Sequence, residues 1–344
     1  MSKDEQYMSR ALELASSGLG SVSPNPLVGC VITHGDRIIG EGWHQKAGEA
    51  HAEVNAVNSV RDKALLKESE VFVTLEPCSH YGKTPPCADL LVKHQVNRVV
   101  IAVLDPNPLV SGQGIDKLKR GGITVQTGVM EKEATEINRR FFTFIQSNRP
   151  YIILKWAQTT DGFIARENFD SKWISGEDSR VLVHQWRAEE DAVMVGTNTA
   201  HYDNPRLNVR TLAGRDPVRV VTDRNLRLSS DLNLFDNTQK TLCYNLVHNK
   251  SDGLTEYIKL TTDNFLEKLL EDLYARDIQS VIVEGGSQLL NTFIHKDLWD
   301  EARVFIAPHT FGSGIVAPEL KKPVASEIVM KDRLLYFRKD TLTP

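Results

Sequence analysis

Two α/β domains in tandem is the fold class that this sequence predicts, on three observations. The chain has 344 residues, too many for one typical domain and suited to two. Apolar strand-like runs alternate with amphipathic helical stretches along its length. The rhythm breaks at the polar stretch "QSNRP" (146–150) and then begins again, which divides the chain into 1–147 and 148–344. With 41% hydrophobic and 25% charged residues, the composition is that of an ordinary globular protein.

In the first half, residues 4–17 place Tyr7, Met8, Ala11, Leu12, Leu14 and Ala15 on one side of a helix. "LVGCVITHGDRIIGEGW" reads as two strands around the turn His34-Gly35-Asp36. A helix over about 50–61 follows, then the strand "VFVTLE" (71–76). A proline-rich loop leads into a helix near 86–94. "RVVIAVL" (98–104) is nearly all apolar, as suits a strand in a sheet covered on both faces. "GITVQTGV" and a helix over 131–146 complete the set.

The second half predicts strands at 151–157, 191–196, 217–223, 279–284 and 302–307, with helices near 177–189, 263–275 and 286–296. "TQKTLCYN" and "TEYIKL" are shorter strand candidates. There is no internal repeat and no low-complexity segment. After "APHTFGSGIVAP" (307–318) no motif stands out beyond the loop "FGSG".

A net charge of −4 and a pI of about 6.2 argue against a broad phosphate-backbone footprint, so no nucleic-acid partner is expected. No apolar run approaches the roughly 20 residues of a membrane span. "MSKDEQYMSRALELA" lacks a signal-peptide core. The expectation is a cytoplasmic protein without a membrane partner. In that reducing compartment, four cysteines are not a disulfide framework.

The first chemical constellation is His51-Ala52-Glu53 followed by Pro77-Cys78 and, nine positions on, Cys87. H-x-E followed by Pro-Cys and a second cysteine is the signature of zinc nucleobase deaminases. One imidazole and two thiolates leave a fourth tetrahedral position open, as in a catalytic zinc site. Glu53 is then the proton shuttle. Positions two apart on a helix point about 200° away from each other. His51 and Glu53 therefore share a site only beyond the helix's N-terminal end. Pro85-Pro86 put Cys87 at the start of the next helix, so both helices aim their N-termini at the metal. Taken singly, the histidine and the cysteines read equally well as packing residues; their conjunction favours zinc. Cys30 and Cys243 sit in predicted strands and read as packing residues.

These segments resemble a known family over nearly the whole chain. "SPNPLVGCV" (23–31), "GEGWHQKAGEAHAE" (40–53), "EPCSHYGKTPPC" (76–87) and "DPNP" (105–108) are similar to the deaminase domain of the bifunctional riboflavin-biosynthesis deaminase/reductases. The wide Cys–Cys spacing separates that family from cytidine and tRNA-adenosine deaminases. The family pattern usually has proline where this chain has Ala50. The resemblance implies a cytidine-deaminase-like three-layer α/β/α domain. It also implies a phosphorylated diaminopyrimidinone substrate, with Asn25 at the pyrimidine, His44 near the substrate and Lys83, His80 and Thr84 at the phosphate.

In the second half no G-x-G-x-x-G loop occurs. "VEGGSQLL" (283–290) sets two glycines between an apolar strand and a helix, where backbone N–H groups suit a phosphate and a plain tight turn would look the same. "LKWAQTTDGFIA" (154–165), "SKWIS" (171–175), "WRAEEDAVMVGTNTAHYDNPRLNVR" (186–210) and "VEGG" resemble the family's reductase domain. That resemblance implies a dihydrofolate-reductase-like α/β fold, NADPH as cofactor and reduction of the ribosyl group to ribityl. It places Ala157, Ile164, Trp173, Thr199, Asp203, Arg224 and Gly285-Gly286-Ser287 at the cofactor. Ser171, Arg187, Leu207, Arg210 and Glu284 fall at the substrate, with Arg187 and Arg210 as phosphate clamps and Asp203 beside the reacting ribose. Lys155, inside an apolar strand, needs a partner if buried and is therefore expected to face the site. The family often has "DDP" where this chain has "DNP", so Asn204 removes a second acid.

The resulting expectation is a zinc-dependent hydrolase joined to an NADPH-dependent oxidoreductase, in a homo-oligomer of two or four copies. Three alternatives stand beside it: a deaminase with an inactive second domain, a zinc-stabilised binding module without turnover, and an editor of nucleic-acid bases.

Overall fold

Side chains that alternate along single strands set the layers of the first half. In the computed structural model, which describes residues 1–81, 85–108 and 110–339, the chain divides into two units, Met1–Asn148 and Arg149–Pro344. The first unit opens with helix α1 (Lys3–Ser16), started by a reciprocal capping box between Ser2 and Glu5. It continues with β1 (Gly29–His34), β2 (Arg37–Trp43), α2 (Ala52–Ser59), β3 (Glu70–Leu75), α3 (Cys87–Lys93), β4 (Arg98–Val103), α4 (Gln113–Arg120), β5 (Thr124–Thr127), α5 (Glu131–Ile137) and α6 (Arg139–Ser147).

The sheet order is β2-β1-β3-β4-β5, with β1 antiparallel to both neighbours and β3, β4 and β5 parallel. Successive residues of a strand face opposite sides. Val71 and Val73 of β3 pack with Ala52 and Ala56 of α2, Leu91 of α3 and Leu118 of α4. Phe72 packs with Met8 and Ala11 of α1 and with Ala134 of α5. The result is helix, sheet, helix. Gly42 lets α2 lie directly on β2, because a Cβ there would fall 2.3 Å from the Ala56 backbone nitrogen.

The helix expected over 131–146 is two helices that meet at Asn138 (φ −98°, ψ 13°). The break has a structural use. Asn138, 2% exposed, donates from Nδ2 to the Leu27 carbonyl at 2.8 Å and accepts the Leu27 N–H at 2.7 Å. It thereby staples the loop before β1. Helix α4 was not expected either; its short apolar face, Ile115 and Leu118, is cut off by the glycines at 121 and 122.

The second unit runs β6 (Tyr151–Thr159), β7 (Phe163–Ala165), α7 (Glu177–Glu189), β8 (Ala192–Gly196), α8 (Thr197–Asp203), β9 (Val218–Thr222), β10 (Thr241–Asn245), β11 (Lys250–Asp252) and β12 (Thr255–Lys259). It ends with α9 (Phe265–Ala275), β13 (Ser280–Val283), α10 (Ser287–His295), β14 (Glu301–Ala307), β15 (Ile315–Val316), β16 (Ala325–Val329) and β17 (Asp332–Arg338). A ten-stranded sheet has the order β11-β12-β10-β9-β8-β13-β6-β14-β17-β16, parallel from β12 to β14. Helix α7 covers one face through Val183 and Trp186. Helices α9 and α10 cover the other through Leu266, Leu269, Leu270, Leu273, Leu290 and Phe293.

The chain winds outward from β6 through β8, β9 and β10. It then returns to insert β13 between β8 and β6. Such a reversal of strand order opens a crevice at the carboxyl ends of the strands. The hairpin β16–β17 escaped the sequence reading because β16 is exposed along most of its length and shows no apolar alternation. Among the described residues, no helix is long and apolar enough to cross a membrane.

Candidate active sites

In the first unit, His51 is the residue that caps α2, with extended backbone (φ −71°, ψ 165°), and Glu53 lies in the first turn at 3% exposure. Cys87 is the first residue of α3, directly after Pro86. The two helix starts converge. The Sγ atoms of Cys78 and Cys87 lie 3.6 and 3.3 Å from His51 Nδ1, and the three ligand atoms all fall within 4.8 Å of one another. A tetrahedron with Zn–N about 2.0 Å and Zn–S about 2.3 Å has edges of about 3.5–3.8 Å, so this donor set fits zinc.

The Cys87 backbone N–H donates to Cys78 Sγ at 3.2 Å. The Cys87 thiol first, then His51 and that backbone bond, hold the Cys78 thiol well below its usual range. Burial, reinforced by the neighbouring Cys78 charge, pushes the Glu53 carboxyl up to about 7.

Around this centre the other expected residues divide. Asn25 and His44 meet each other, Nδ2 to Nε2, at 3.0 Å. The His44 ring packs edge-on against His51, centroids 5.6 Å apart. Burial lowers the pKa of His44. His80 is exposed and acts electrostatically on the half-buried Asp105. Lys83 and Thr84 lie outside the described residues. The sequence reading passed over Glu76, 5% exposed, whose carboxylate accepts the N–H groups of Gly112 at 3.0 Å and Gly114 at 2.9 Å. It ties the start of α4 to the residue just before Pro77-Cys78. A carboxylate at the buried end of an apolar strand was the available signal, since such a charge needs donors.

In the second unit a cavity of about 1210 Å³ opens at the switch point, and every reductase residue expected from the sequence lines it. Lys155 and Ala157 come from β6 and Ile164 from β7. Ser171 and Trp173 come from the loop before α7, and Arg187 from α7 itself. Thr199 and Asp203 lie on α8, Leu207 and Arg210 just after it, and Arg224 after β9. Glu284, Gly285 and Gly286 follow β13, and Ser287 begins α10.

Gly285 has φ +113°, a backbone conformation that favours glycine. A Cβ on Gly286 would meet Thr199 Oγ1 at 3.0 Å. The pair forms a backbone cradle at the start of α10, with Arg224 and Arg227 in the same cavity, and this donor set fits a dinucleotide phosphate.

Arg187, expected as a phosphate clamp, is engaged within the protein. Its fork is bound to Glu284, Nε to Oε1 at 2.6 Å and Nη2 to Oε2 at 2.9 Å, and Nη1 donates to the Asn208 carbonyl at 3.2 Å. Lys155 Nζ lies 3.9 Å from Glu284 Oε2, and burial lowers its pKa. Arg210 is exposed, has only a 3.4 Å bond to Asn208 Oδ1, and is crowded by Arg187, Arg206 and Arg180. Asp203 accepts from Ser171 Oγ at 2.9 Å, and burial raises its carboxyl pKa. Asn204 stands in the left-handed region (φ 41°), and its Oδ1 accepts the Asn233 N–H at 2.8 Å.

Residues 1–103 match the family model of the cytidine and deoxycytidylate deaminase zinc-binding region, and residues 150–332 match that of the RibD C-terminal domain. The riboflavin biosynthesis protein RibD of Aquifex aeolicus is 42% identical over 325 residues, which cover 92% of this chain and 90% of that protein. The chain belongs to the RibD family. RibD of Escherichia coli is 37% identical over 90% of this chain and 89% of its own length. A crystal structure from Thermotoga maritima superposes with a TM-score of 0.90 at 38% identity, covering 98% of each chain. It is a diaminohydroxyphosphoribosylaminopyrimidine deaminase/5-amino-6-(5-phosphoribosylamino)uracil reductase. As a member of that family, the chain is a hydrolase and an oxidoreductase, with a zinc-binding cytidine-deaminase-like domain followed by an NADPH-using reductase domain. His184, Arg206 and the stacked pair Phe169–Tyr202 also line the cavity; Tyr202 and Arg206 fall within the quoted segment 186–210 without being singled out, and Phe169 and His184 lie outside every quoted segment.

Proposed function

We propose that residues 1–147 deaminate the diaminohydroxyphosphoribosylaminopyrimidine named for the Thermotoga relative, and that residues 148–344 reduce the ribosyl group of the product to ribityl. The convergence of His51, Cys78 and Cys87 beside a buried Glu53 carries this reading. The three ligands would hold zinc, which supplies Lewis acidity that lets water ionise near neutral pH. Glu53 takes the proton of that water and passes it to the ring nitrogen and the leaving amine. Asn25 holds the pyrimidine and His44 stands behind it, while His80, with Lys83 and Thr84, serves the substrate phosphate.

In the second unit the Gly285-Gly286-Ser287 cradle, Thr199 and Arg224 would hold the phosphates of NADPH, and Ala157, Ile164 and Trp173 would line the rest of its site; bound there, it would supply a hydride. Arg210 takes the substrate phosphate, because its guanidinium is the less engaged of the two expected clamps. Arg187 instead holds Glu284, with Lys155 beside it, against the substrate. Asp203, steadied by Ser171 and with its carboxyl pKa raised by burial, donates the proton that accompanies reduction. Leu207, 2% exposed, supplies an apolar wall. Both Asp203 and Asn204 line the cavity, but the Asn204 side chain is engaged with Asn233, so this reading gives the proton to Asp203 alone.

A cytoplasmic homo-oligomer completes the proposal; the edge strand β16 exposes Ile328 at 70%, with Met330 next to it at 75%. The deciding experiment gives the diaminopyrimidine substrate and NADPH to the zinc-loaded chain and to Glu53→Gln. The wild type is expected to release ammonia and then oxidise NADPH. The variant is expected to oxidise NADPH only when given the already deaminated compound. Ammonia without NADPH oxidation would leave the reductase assignments wrong.

A further inference from the structure

Helix α8 ends on two neighbours that both reach the loop between β7 and α7. Asp203 accepts from Ser171 Oγ at 2.9 Å, and Tyr202 stacks on Phe169 with ring centroids 4.4 Å apart and planes 3° from parallel. Phe169 precedes Ser171 by two residues, so the two contacts join the same two segments. His201 packs edge-on against the same tyrosine, centroids 4.8 Å apart, and supports the ring that receives Phe169.

The loop is also tied near its ends. Beside β7, the Arg166 guanidinium lies over the Phe311 ring at 4.2 Å. Beside α7, the Gly176 N–H and the Ser179 hydroxyl both donate to Asp332 Oδ2, at 2.7 and 2.6 Å. Arg180 donates to the Ser175 carbonyl at 2.9 Å and lies over the Trp173 ring at 4.6 Å. Between these ties the chain makes a turn. The Arg166 N–H donates to the Asp170 carbonyl and the Phe169 N–H to the Arg166 carbonyl, both at 2.9 Å. The Asp170 N–H donates to Asn168 Oδ1 at 3.0 Å and the Lys172 N–H to Asp170 Oδ1 at 3.1 Å. These bonds shape the turn without fastening it to α8.

Phe169 sits in that turn with φ +68°, a left-handed backbone that a residue with a Cβ adopts where its surroundings hold it. Its side chain is half-buried, while Glu167, Asn168 and Asp170 around it are exposed. The turn thus directs one aromatic ring at Tyr202.

We infer that Phe169 and Tyr202 form a latch that seats the 166–175 loop on α8 and thereby keeps Ser171 on Asp203. Both are positioning residues. The inference rests on the reductase reading above and deepens it. Water competes for both partners of a single Ser–Asp hydrogen bond at the wall of an open cavity. A stack two residues away removes much of the freedom the loop would otherwise lose in making that bond. Without the stack, substrate must seat the loop as it binds, and its apparent affinity falls with the fraction of chains already seated. The latch therefore acts on KM rather than on kcat.

Hydrogen–deuterium exchange of the full zinc-loaded chain, without substrate, is the first test. Tyr202 is 48% exposed, so truncating it spares the core. Tyr202→Ala is expected to speed exchange over 166–172 by about 2–10-fold, the worth of one aromatic pair. Tyr202→Phe keeps the stack and the wild-type pattern. Unchanged exchange in Tyr202→Ala overturns the inference. With no substrate present, this result stands whether or not the reductase reading does.

The second test is NADPH oxidation with the already deaminated compound, in Phe169→Ala, Tyr202→Ala and the pair. Each single substitution is expected to raise KM about 2–10-fold with kcat within about twofold, and Tyr202→Phe to restore the wild-type KM. The pair is expected to be no worse than the worse single, because each substitution removes the same stack. Losses that multiply, or a fall in kcat at unchanged KM, show separate roles at the reacting groups. Either overturns the latch, while the reductase reading survives.

Discussion

Arg187 holds Glu284 in a two-pronged ion pair inside the reductase cavity, with side chains 10% and 8% exposed. The pair links helix α7 to the end of β13. Removing one partner strands a mostly buried charge, which costs about 3 kcal/mol or more. Arg187→Ala is therefore expected to lower the urea stability of the Arg149–Pro344 unit by about that amount and to slow NADPH oxidation. Arg187→Lys keeps the charge but cannot bridge both oxygens, so it should fall between the two. An Arg187→Ala protein with wild-type stability would show that the pair contributes nothing.

Asn204 bears on whether the second unit needs two acids. Its Oδ1 accepts from the Asn233 N–H, a role that a carboxylate oxygen fills equally well. Asn204→Asp is expected to leave the rate of NADPH oxidation within about twofold, because the new carboxylate keeps the bond to the Asn233 N–H. Asp203→Asn is expected to reduce it by about 10²-fold or more, as loss of a general acid does. A large gain in Asn204→Asp would mean that the second acid takes part.

Zinc removal should separate the two activities. Chelation, or Cys87→Ser, is expected to abolish ammonia release. NADPH oxidation with the deaminated compound should continue, because every residue of the reductase cavity lies at position 155 or beyond. Glu53→Gln should retain zinc yet lose about 10²–10⁴-fold in deamination. Equal loss of both activities on chelation would refute this separation.

Acid should weaken the second unit through His184. The ring is 3% exposed and donates to the Asn208 carbonyl at 3.0 Å; burial first, then Arg187 and Arg210, push its pKa down to about 4. The ordinary value is 6.5. Between those values the unfolded chain binds a proton that the folded chain does not, so stability falls as pH drops from about 6.5 toward 4. Thermal unfolding at pH 7 and pH 5 should therefore show a larger drop for the wild type than for His184→Gln. Equal drops would mean that His184 protonates normally in the fold.

The division into two α/β units, most of the core strands, the zinc ligands and their place at two helix starts were all legible in the amino-acid sequence. These rest on local signals: apolar runs, prolines that open helices and spacings that one helix turn dictates. Even the residues around the reductase cavity were legible through motif resemblance. Which side chains are available depended on contacts that form only in the folded chain. Folding bound Arg187 to Glu284, turned Asn204 toward Asn233, broke the last helix of the first unit at Asn138 to hold Leu27, and set Glu76 against the start of α4. Each is a contact between residues distant in the chain, made because a buried polar group must find a partner. Periodicity and spacing carry no record of which partner that is.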